Sequence, residues 1–554
     1  MYLAHDSTHN FYYYGEEEPK PGLYTKYITE NSHHTIAVDV ETISLKDRTA
    51  IGVGVAINPN VAFYFPLFPE ESSYTPWHLL RDPAIAKVFQ NAPFDLLSMR
   101  RYDLCNDNVK DTNVIGHLLS ISPSRLIDLV AHAHMYHGGR LLEVHDAKEL
   151  LNEHNTKTML GIPSETVAMK CCQDCLGTLE VYNKLLPQVD QEYFKVEMEA
   201  LSVLVDMSFM GLLIDHEVRA NIEAKLEKEV DYYNRLCDGE GFSPSSPQQV
   251  GYILAKRGAY NVFSRIPFTR GGKKTGKKQL DTSEEILNKM TDPMATIVLR
   301  HRSSSKLLST YIKPWANDRR AYTRFHLDAI TGRPSSTDRN MQNIPKGEPR
   351  GIFIPDSGVF TDVDFSQVEL RVLAYLSQDR EMIRILSDPD GDIHGETADF
   401  MSIVRLGAKK VGFSMIYGAT DETIAENAGV PISRARDLKD AWFEKYNGAG
   451  YWINTVQEES LRYPYATTVF GRKIRLPTIE DEREDAIKRK AVNYPIQATA
   501  AEILKRALIR CKGLNMVLQV HDEILFDGRV VVPKLDDIAP FWTPVEVKYL
   551  QRWE

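Results

Sequence analysis

The chain has 554 residues, with 66 Lys and Arg against 76 Asp and Glu, a formal charge of −10 at pH 7, and 43% hydrophobic, 10% aromatic and 26% charged residues. These proportions are globular and exclude a disordered, collagen-like or membrane-embedded chain; at about 150 residues per domain, three or four domains are expected, folded without disulfides or structural metal. The mild acidity neither requires nor forbids a polyanionic partner, because binding grooves are charged locally.

Residues 1–30 are polar and tyrosine-rich, with Glu16 to Glu18 followed by Pro19 and Pro21, and read as a surface arm. They lack the basic start and apolar stretch of a secretory leader, and no run nears the ~18 apolar residues of a membrane span. The six cysteines (Cys105, Cys171, Cys172, Cys175, Cys237, Cys511) are expected to be reduced thiols of a cytoplasmic protein. Cys171, Cys172 and Cys175 have no second Cys or His pair at zinc spacing, and His132, His134 and His137 read as a helix face and its end.

TIAVDVET, AIGVGVAI and VAFYFPL, between residues 35 and 67, read as strands of one sheet, and residues 78–190 as mostly helical, giving a helix-covered sheet domain over 31–190. Asp39 and Glu41 lie two apart on a strand, so both carboxylates share one face. Asp95, after QNAPF, and Asp174, in helical AMKCCQDCLGTLEVY, bring the set to four. Four carboxylates can hold two divalent cations about 4 Å apart, one activating a water and one stabilising a leaving oxygen, and magnesium or manganese suits such donors.

A long helix from about Gln191 to Gly211 opens a larger body over 191–554. Between Ser264 and Leu280 a basic tip carries Lys273, Lys274, Lys277 and Lys278; it is either a solvated charge run or a contact for a polyanion backbone. It falls one residue short of a phosphate-binding loop, with Lys278 where that loop needs Ser or Thr and no strand before it. VFTDVDF puts Asp364 at the end of a β-like run, and MVLQVHDEILF puts Asp522 and Glu523 at a hairpin-like turn, where acids are commonly mere turn residues. Nucleotidyl transfer needs one metal to acidify a primer 3′-hydroxyl and another to neutralise the triphosphate, and two bridging aspartates are the minimum. Arg405, Lys409, Phe413 and Tyr417 are spaced by four, which on a helix gives one stripe, ended by Gly418. Core stripes seldom begin with Arg and Lys; cations leading to rings fit a triphosphate meeting a flat base.

Over residues 31–190 the sequence resembles the 3′–5′ exonuclease family named for four acidic residues, through Asp39-Val40-Glu41-Thr42, Asn91-Ala92-Pro93-Phe94-Asp95 and Asp174. Lys170 departs from it, standing where that family has a tyrosine that orients the attacking water. Over about 195–554 the sequence resembles the family A DNA polymerases, the bacterial polymerase I and phage replicase group, through TGRPSSTDRNMQNIP, DFSQVELR, the Arg405–Gly418 segment and QVHDE, with smaller echoes in DIH, TTVFGRKIRLP and AVNYPIQ.

The resemblance implies an α/β and α+β multidomain fold: an RNase H-like exonuclease, then a right-hand polymerase with thumb 195–320, palm 321–380 and 464–554, and fingers 381–463. It implies DNA-templated extension of a primer with dNTPs, proofreading, and two Mg2+ ions (Mn2+ as substitute) at each site. Asp364 and Asp522 would be the catalytic pair, with Glu523 close by and Phe365 among the metal-binding residues. Arg405, Lys409 and His394 would bind the triphosphate, and Lys409 would protonate the leaving pyrophosphate. Phe413 would pack on the incoming nucleotide near Gln367, and its lack of a hydroxyl implies discrimination against dideoxynucleotides. Glu369 would fill the space of a ribose 2′-hydroxyl, with Tyr417 beside it. Arg333, Asn340, Gln342, Asn343, Arg472, Asn493, Gln497 and His521 would line the primer–template duplex. Departures at Pro334, Arg339, Met341, Ala498 and Glu502 touch no metal ligand. With only residues 1–30 ahead of the exonuclease, no 5′-nuclease domain is expected; the compact plan points to a monomeric phage enzyme in the host cytoplasm, with a compact bacterial or organellar enzyme as the alternative, working with helicase or single-strand binding proteins. Three alternatives stand: a single-subunit RNA polymerase, against which Glu369 and the exonuclease argue; a slow or vestigial exonuclease site; and an inactive scaffold of the same fold.

Overall fold

The computed structural model describes residues 35–73, 75–104, 107–121, 126, 147–269 and 278–554, and the backbone of two short strands before them. Seven strands form the first sheet: β1 Tyr2–His5, β2 Asn10–Tyr13, β3 Thr35–Thr42, β4 Ala50–Asn58, β5 Val61–Pro66, β6 Ala86–Phe89 and β7 Val109–Asp111, in the order β1-β2-β5-β4-β3-β6-β7. The three expected strands are its antiparallel centre. One expectation is corrected. The supposed arm contributes β1 and β2, and β2 runs parallel along β5, because an edge strand offers a free row of backbone partners to an aromatic, β-prone segment. The stretch read as mostly helical is mostly helical among its described residues, and adds β6 and β7, parallel strands too short to show a period.

Helix α1 (Ala92–Ser98) packs on β3, and α2 (Ser164–Leu185) crosses β3, β4 and β5. Gly54 on β4 makes the second approach possible, since a Cβ there would lie 2.7 Å from Cys171 Sγ and 2.8 Å from Cys175 Sγ. Cys171, Cys172 and Cys175 are therefore buried core thiols, free of disulfides. Their packing fixes α2, and with it Lys170 and Asp174, over the acids of β3.

The second body opens with α3 (Gln191–Met210), where the Asp190 side chain accepts from the Tyr193 backbone N–H at the start and Gly211 (φ 60°) stops the helix. Next, α4 (His216–Gly239) and α5 (Pro293–Lys306) share a separate small core that includes Cys237, Val250, Leu254 and Val298. On either side of the basic segment, Thr269 N donates to Gln279 O at 2.8 Å, and Lys278 is exposed. Lys273, Lys274 and Lys277, like Cys105 and the three histidines 132, 134 and 137, lie outside the described residues.

The larger core centres on a four-stranded antiparallel sheet, β8 Phe360–Phe365, β9 Met516–Val520, β10 Glu523–Asp527 and β11 Val545–Leu550, ordered β9-β10-β8-β11. Around it lie α6 (Val368–Ser377), α7 (Ile393–Met401), α8 (Arg405–Ile416) and the long α9 (Glu484–Arg510). Among the described residues no helix is long and apolar enough to cross a membrane.

Candidate functional site

Pairing of β8 with β10 sets Asp364 directly opposite Glu523. The two-residue turn between β9 and β10, with His521 at φ 55°, carries Asp522 beside them, and Phe365 N donates to Asp522 O at 3.1 Å. Strand end and hairpin turn thus bring the two distant aspartates together. Burial and then the Asp522 and Glu523 charges push the Asp364 carboxyl up to about 6. Asp362, two residues earlier on the same strand face, was missed by the sequence reading, although the alternation in TDVD could have found it. Burial, Glu523 and Asp364 push it up to about 7, and its Oδ1 is buried without a hydrogen-bond partner. Hard oxygen donors with surplus negative charge fit divalent cations.

Glu523 is differently placed. It is 6% exposed, accepting from Trp553 Nε1 at 2.7 Å and from Arg350 Nη1 at 3.2 Å. The Arg350 guanidinium lies 4.3 Å from the Trp553 ring centroid, so the pair clamps this carboxylate against the sheet. No local sequence signal marks either residue.

On α8 the spacing of four holds to the helix end: Ile416 is the last helical residue, Tyr417 caps it, and Gly418 (φ 59°) turns the chain away. The Phe413 and Tyr417 rings lie 6.4 Å apart at 18°, and His394 of α7 lies 6.1 Å from Phe413. Burial, then the Arg405 and Lys409 charges, pull His394 down to about 4, so these three converge. Arg405 is held bidentately by Asp392 (2.7 and 3.0 Å), and Asp392 is drawn down to about 2 chiefly by that contact.

A cavity of about 330 Å³ joins the two halves, lined by Phe365, Gln367, Phe413, Tyr417, His521 and Asp522, among others. Glu369 sits in its wall, 7% exposed, accepting from Tyr417 OH at 2.7 Å and ion-paired with Arg333. Gln367 Oε1 is buried without a partner.

The expected duplex contacts divide. His521 and Asn343 are exposed, and Asn493 and Gln497 are half-buried on α9. Gln342 Nε2 is spent on Gln519 Oε1 (2.9 Å), and Asn340 Oδ1 accepts from Asn343 N (3.1 Å) and Ser336 Oγ (2.9 Å). Arg472 is 6% exposed and bonds to His117 Nε2 (2.6 Å), joining the two bodies instead of facing an open groove.

In the first body β3, α1 and α2 bring Asp39, Glu41, Asp95 and Asp174 together. Val40 N donates to Asp95 Oδ1 at 3.1 Å, tying α1 to the strand. Burial, then Asp174, raises Asp39 to about 7 against the pull of Lys170; burial, then Asp39, raises Asp95 well above the carboxylate range. Into this cluster α2 delivers a cation of its own. Lys170 Nζ lies 2.7 Å from Glu41 Oε1 and 2.7 Å from Asp174 Oδ2. Burial works against its charge, but Asp174, Glu41 and Asp39 outweigh it and hold the lysine well above its usual range. Cys171 Sγ donates to Asp39 Oδ2 at 3.4 Å. The oxygens have the chemistry for divalent metal, yet with Lys170 between two of them the residues as placed do not fit a pair of ions.

Comparison with known proteins adds two family matches: DNA polymerase family A over residues 215–536, and 3′-5′ exonuclease over residues 24–190. The thermostable DNA polymerase I of Thermus aquaticus is 32% identical over 394 residues, 63% of this chain and 45% of that protein. The DNA polymerases I of Synechocystis sp. and Pseudomonas aeruginosa are 28% and 29% identical, each over 89% of this chain and over 56% and 59% of their own length. The chain thus spans about half the length of these bacterial relatives. Among solved structures, the polymerase domain of Pol1 from M. smegmatis, in complex with DNA primer-template and dNTP, matches with a TM-score of 0.75 at 21% identity, covering 98% of this chain and 99% of that one.

Proposed function

Because the chain belongs to DNA polymerase family A and carries a 3′–5′ exonuclease domain ahead of it, we propose that it extends a primer 3′ end with dNTPs on a DNA template. The observation that carries this reading is the meeting of Asp364 with Asp522, the second of which lines a cavity whose wall also holds Glu369, Phe413 and Tyr417. Two magnesium ions held by these aspartates would acidify the primer hydroxyl and neutralise the triphosphate, with manganese as a substitute. The protein's own residues do the rest. Arg405 exchanges Asp392 for triphosphate oxygens, and His394, kept neutral by burial and its cationic neighbours, donates one hydrogen bond there. Lys409, exposed on the same helix face, gives its proton to the departing pyrophosphate. Phe413 covers the base, and Glu369, pinned from both sides, closes the space a 2′-hydroxyl needs. Clamped Glu523 stiffens the strand that begins directly after Asp522 rather than reaching for an ion.

On this reading α4 and α5 belong to the thumb, α7 and α8 to the fingers and the four-stranded sheet to the palm, and closure of α8 completes the site. The bound primer-template DNA and dNTP of the mycobacterial structure support the same ligands here. The named relatives are bacterial. The test is one primed template given dNTPs, rNTPs or neither. Extension with dNTPs alone supports the proposal; equal extension with rNTPs makes the enzyme an RNA polymerase.

A further inference from the structure

We propose that Lys170 is a tethered cation that occupies the position of a divalent ion between Glu41 and Asp174 and holds 3′-end trimming in check until metal displaces it. The proposal rests on reading the first body as an exonuclease. Its ammonium makes two equal contacts of 2.7 Å, one to an acid of β3 and one to an acid a single turn further along its own helix. The Lys170 and Glu41 side chains are 14% and 8% exposed, so little water competes for either charge. Nor is Lys170 a mobile surface lysine that happens to reach an acid: the neighbouring Cys171 thiol is seated over Gly54, at a distance no added Cβ would tolerate, and that contact fixes the height of α2 above β3.

The chemistry of the side chain sharpens the point. An ammonium offers three donors and no acceptor. With two donors spent on Glu41 and Asp174, it has no lone pair with which to orient an attacking water. Its single charge neutralises one of four carboxylates, so the cluster still attracts one divalent ion on the side of Asp39 and Asp95, while a second must evict the lysine. Trimming should therefore demand more metal than an unobstructed four-carboxylate site.

The test uses the full chain with Asp364→Asn and Asp522→Asn, which silence the other candidate metal site. Mn2+ binding is followed by electron paramagnetic resonance in this parent and in the added variants Lys170→Met, Lys170→Gln and Lys170→Arg. The expected result is an Mn2+ site at least tenfold tighter in Lys170→Met and Lys170→Gln than in the parent, unchanged in Lys170→Arg, and abolished by Asp39→Asn with Glu41→Gln. In chains with the polymerase acids intact, the half-saturating Mn2+ for trimming a single-stranded oligonucleotide should fall by the same factor. Thermal melting identifies any variant that does not fold, and the other neutral variant then decides. Equal Mn2+ affinity in parent and neutral variants overturns the role of Lys170 and leaves the exonuclease reading standing. So does loss of trimming at unchanged affinity, which would make the lysine a catalytic group. Absence of an Asp39-dependent Mn2+ site in every folded variant would sink the exonuclease reading itself.

Discussion

Tyr417→Phe removes one hydroxyl and keeps the ring. That hydroxyl donates to Glu369 Oε2 at 2.7 Å while Arg333 holds the other oxygen. A hydrogen bond to a charged group is worth ~1.5–3 kcal/mol, and because Tyr417 is 37% exposed, the lower end applies. Glu369 keeps Arg333 in the variant, so its carboxylate stays in the wall but can swing aside. Loosening by ~1.4 kcal/mol corresponds to a tenfold change in relative incorporation. The dNTP-to-rNTP ratio of kcat/KM should therefore fall about tenfold, almost wholly through faster rNTP insertion. The assay is single-nucleotide incorporation into one primed template with matched dNTP and rNTP series. An unchanged ratio in Tyr417→Phe, with an unchanged ratio in Glu369→Ala, would refute the assignment of sugar selection to this pair.

Trp553→Phe keeps an aromatic ring under Arg350 but deletes the N–H that meets Glu523 at 2.7 Å, in a site where Trp553 is 0% exposed. A loss of ~1.5–3 kcal/mol is expected, read as a lower denaturant midpoint at unchanged slope, with a slower maximal rate of incorporation and little change in KM. The pair Asp362 and Asp364 makes the metal-free protein sensitive to alkali. Both folded-state values, about 7 and about 6, lie above the unfolded value of 3.8. The stability this pair contributes is fully present below the unfolded value and is lost as pH rises through 6 and 7. With a chelator present, Asp362→Asn should melt above the parent at pH 8, and the gap should close toward pH 4; a constant gap would contradict the charge repulsion inferred here.

What could be read in the sequence was what local pattern encodes. Asp39 and Glu41 share a face because strands have period two, and Arg405 to Tyr417 share one because four residues approximate a helical turn. The turn carrying Asp522 stood out between two apolar runs. The meeting of Asp364 with Asp522 came from family resemblance alone, since strand register over such a separation has no local signature. Long-range partners were illegible for the same reason. Arg350 and Trp553 reach Glu523 from far along the chain, and Arg472 turns inward to His117 of the other body. Lys170 was visible as a departure, but its two contacts depend on how closely α2 approaches β3, which the Gly54 and Cys171 packing decides in three dimensions. The terminal strands β1 and β2 were missed because four-residue runs in a polar context carry no usable period.

The most direct test of the polymerase assignment is single-nucleotide incorporation by Asp364→Ala and Asp522→Ala under saturating dNTP and Mg2+, with binding of the primed template measured alongside. Two acids sharing one pair of ions predict that either substitution abolishes detectable incorporation while template binding survives. Incorporation within tenfold of the parent by either variant would contradict that shared role and place the reacting centre elsewhere in the chain.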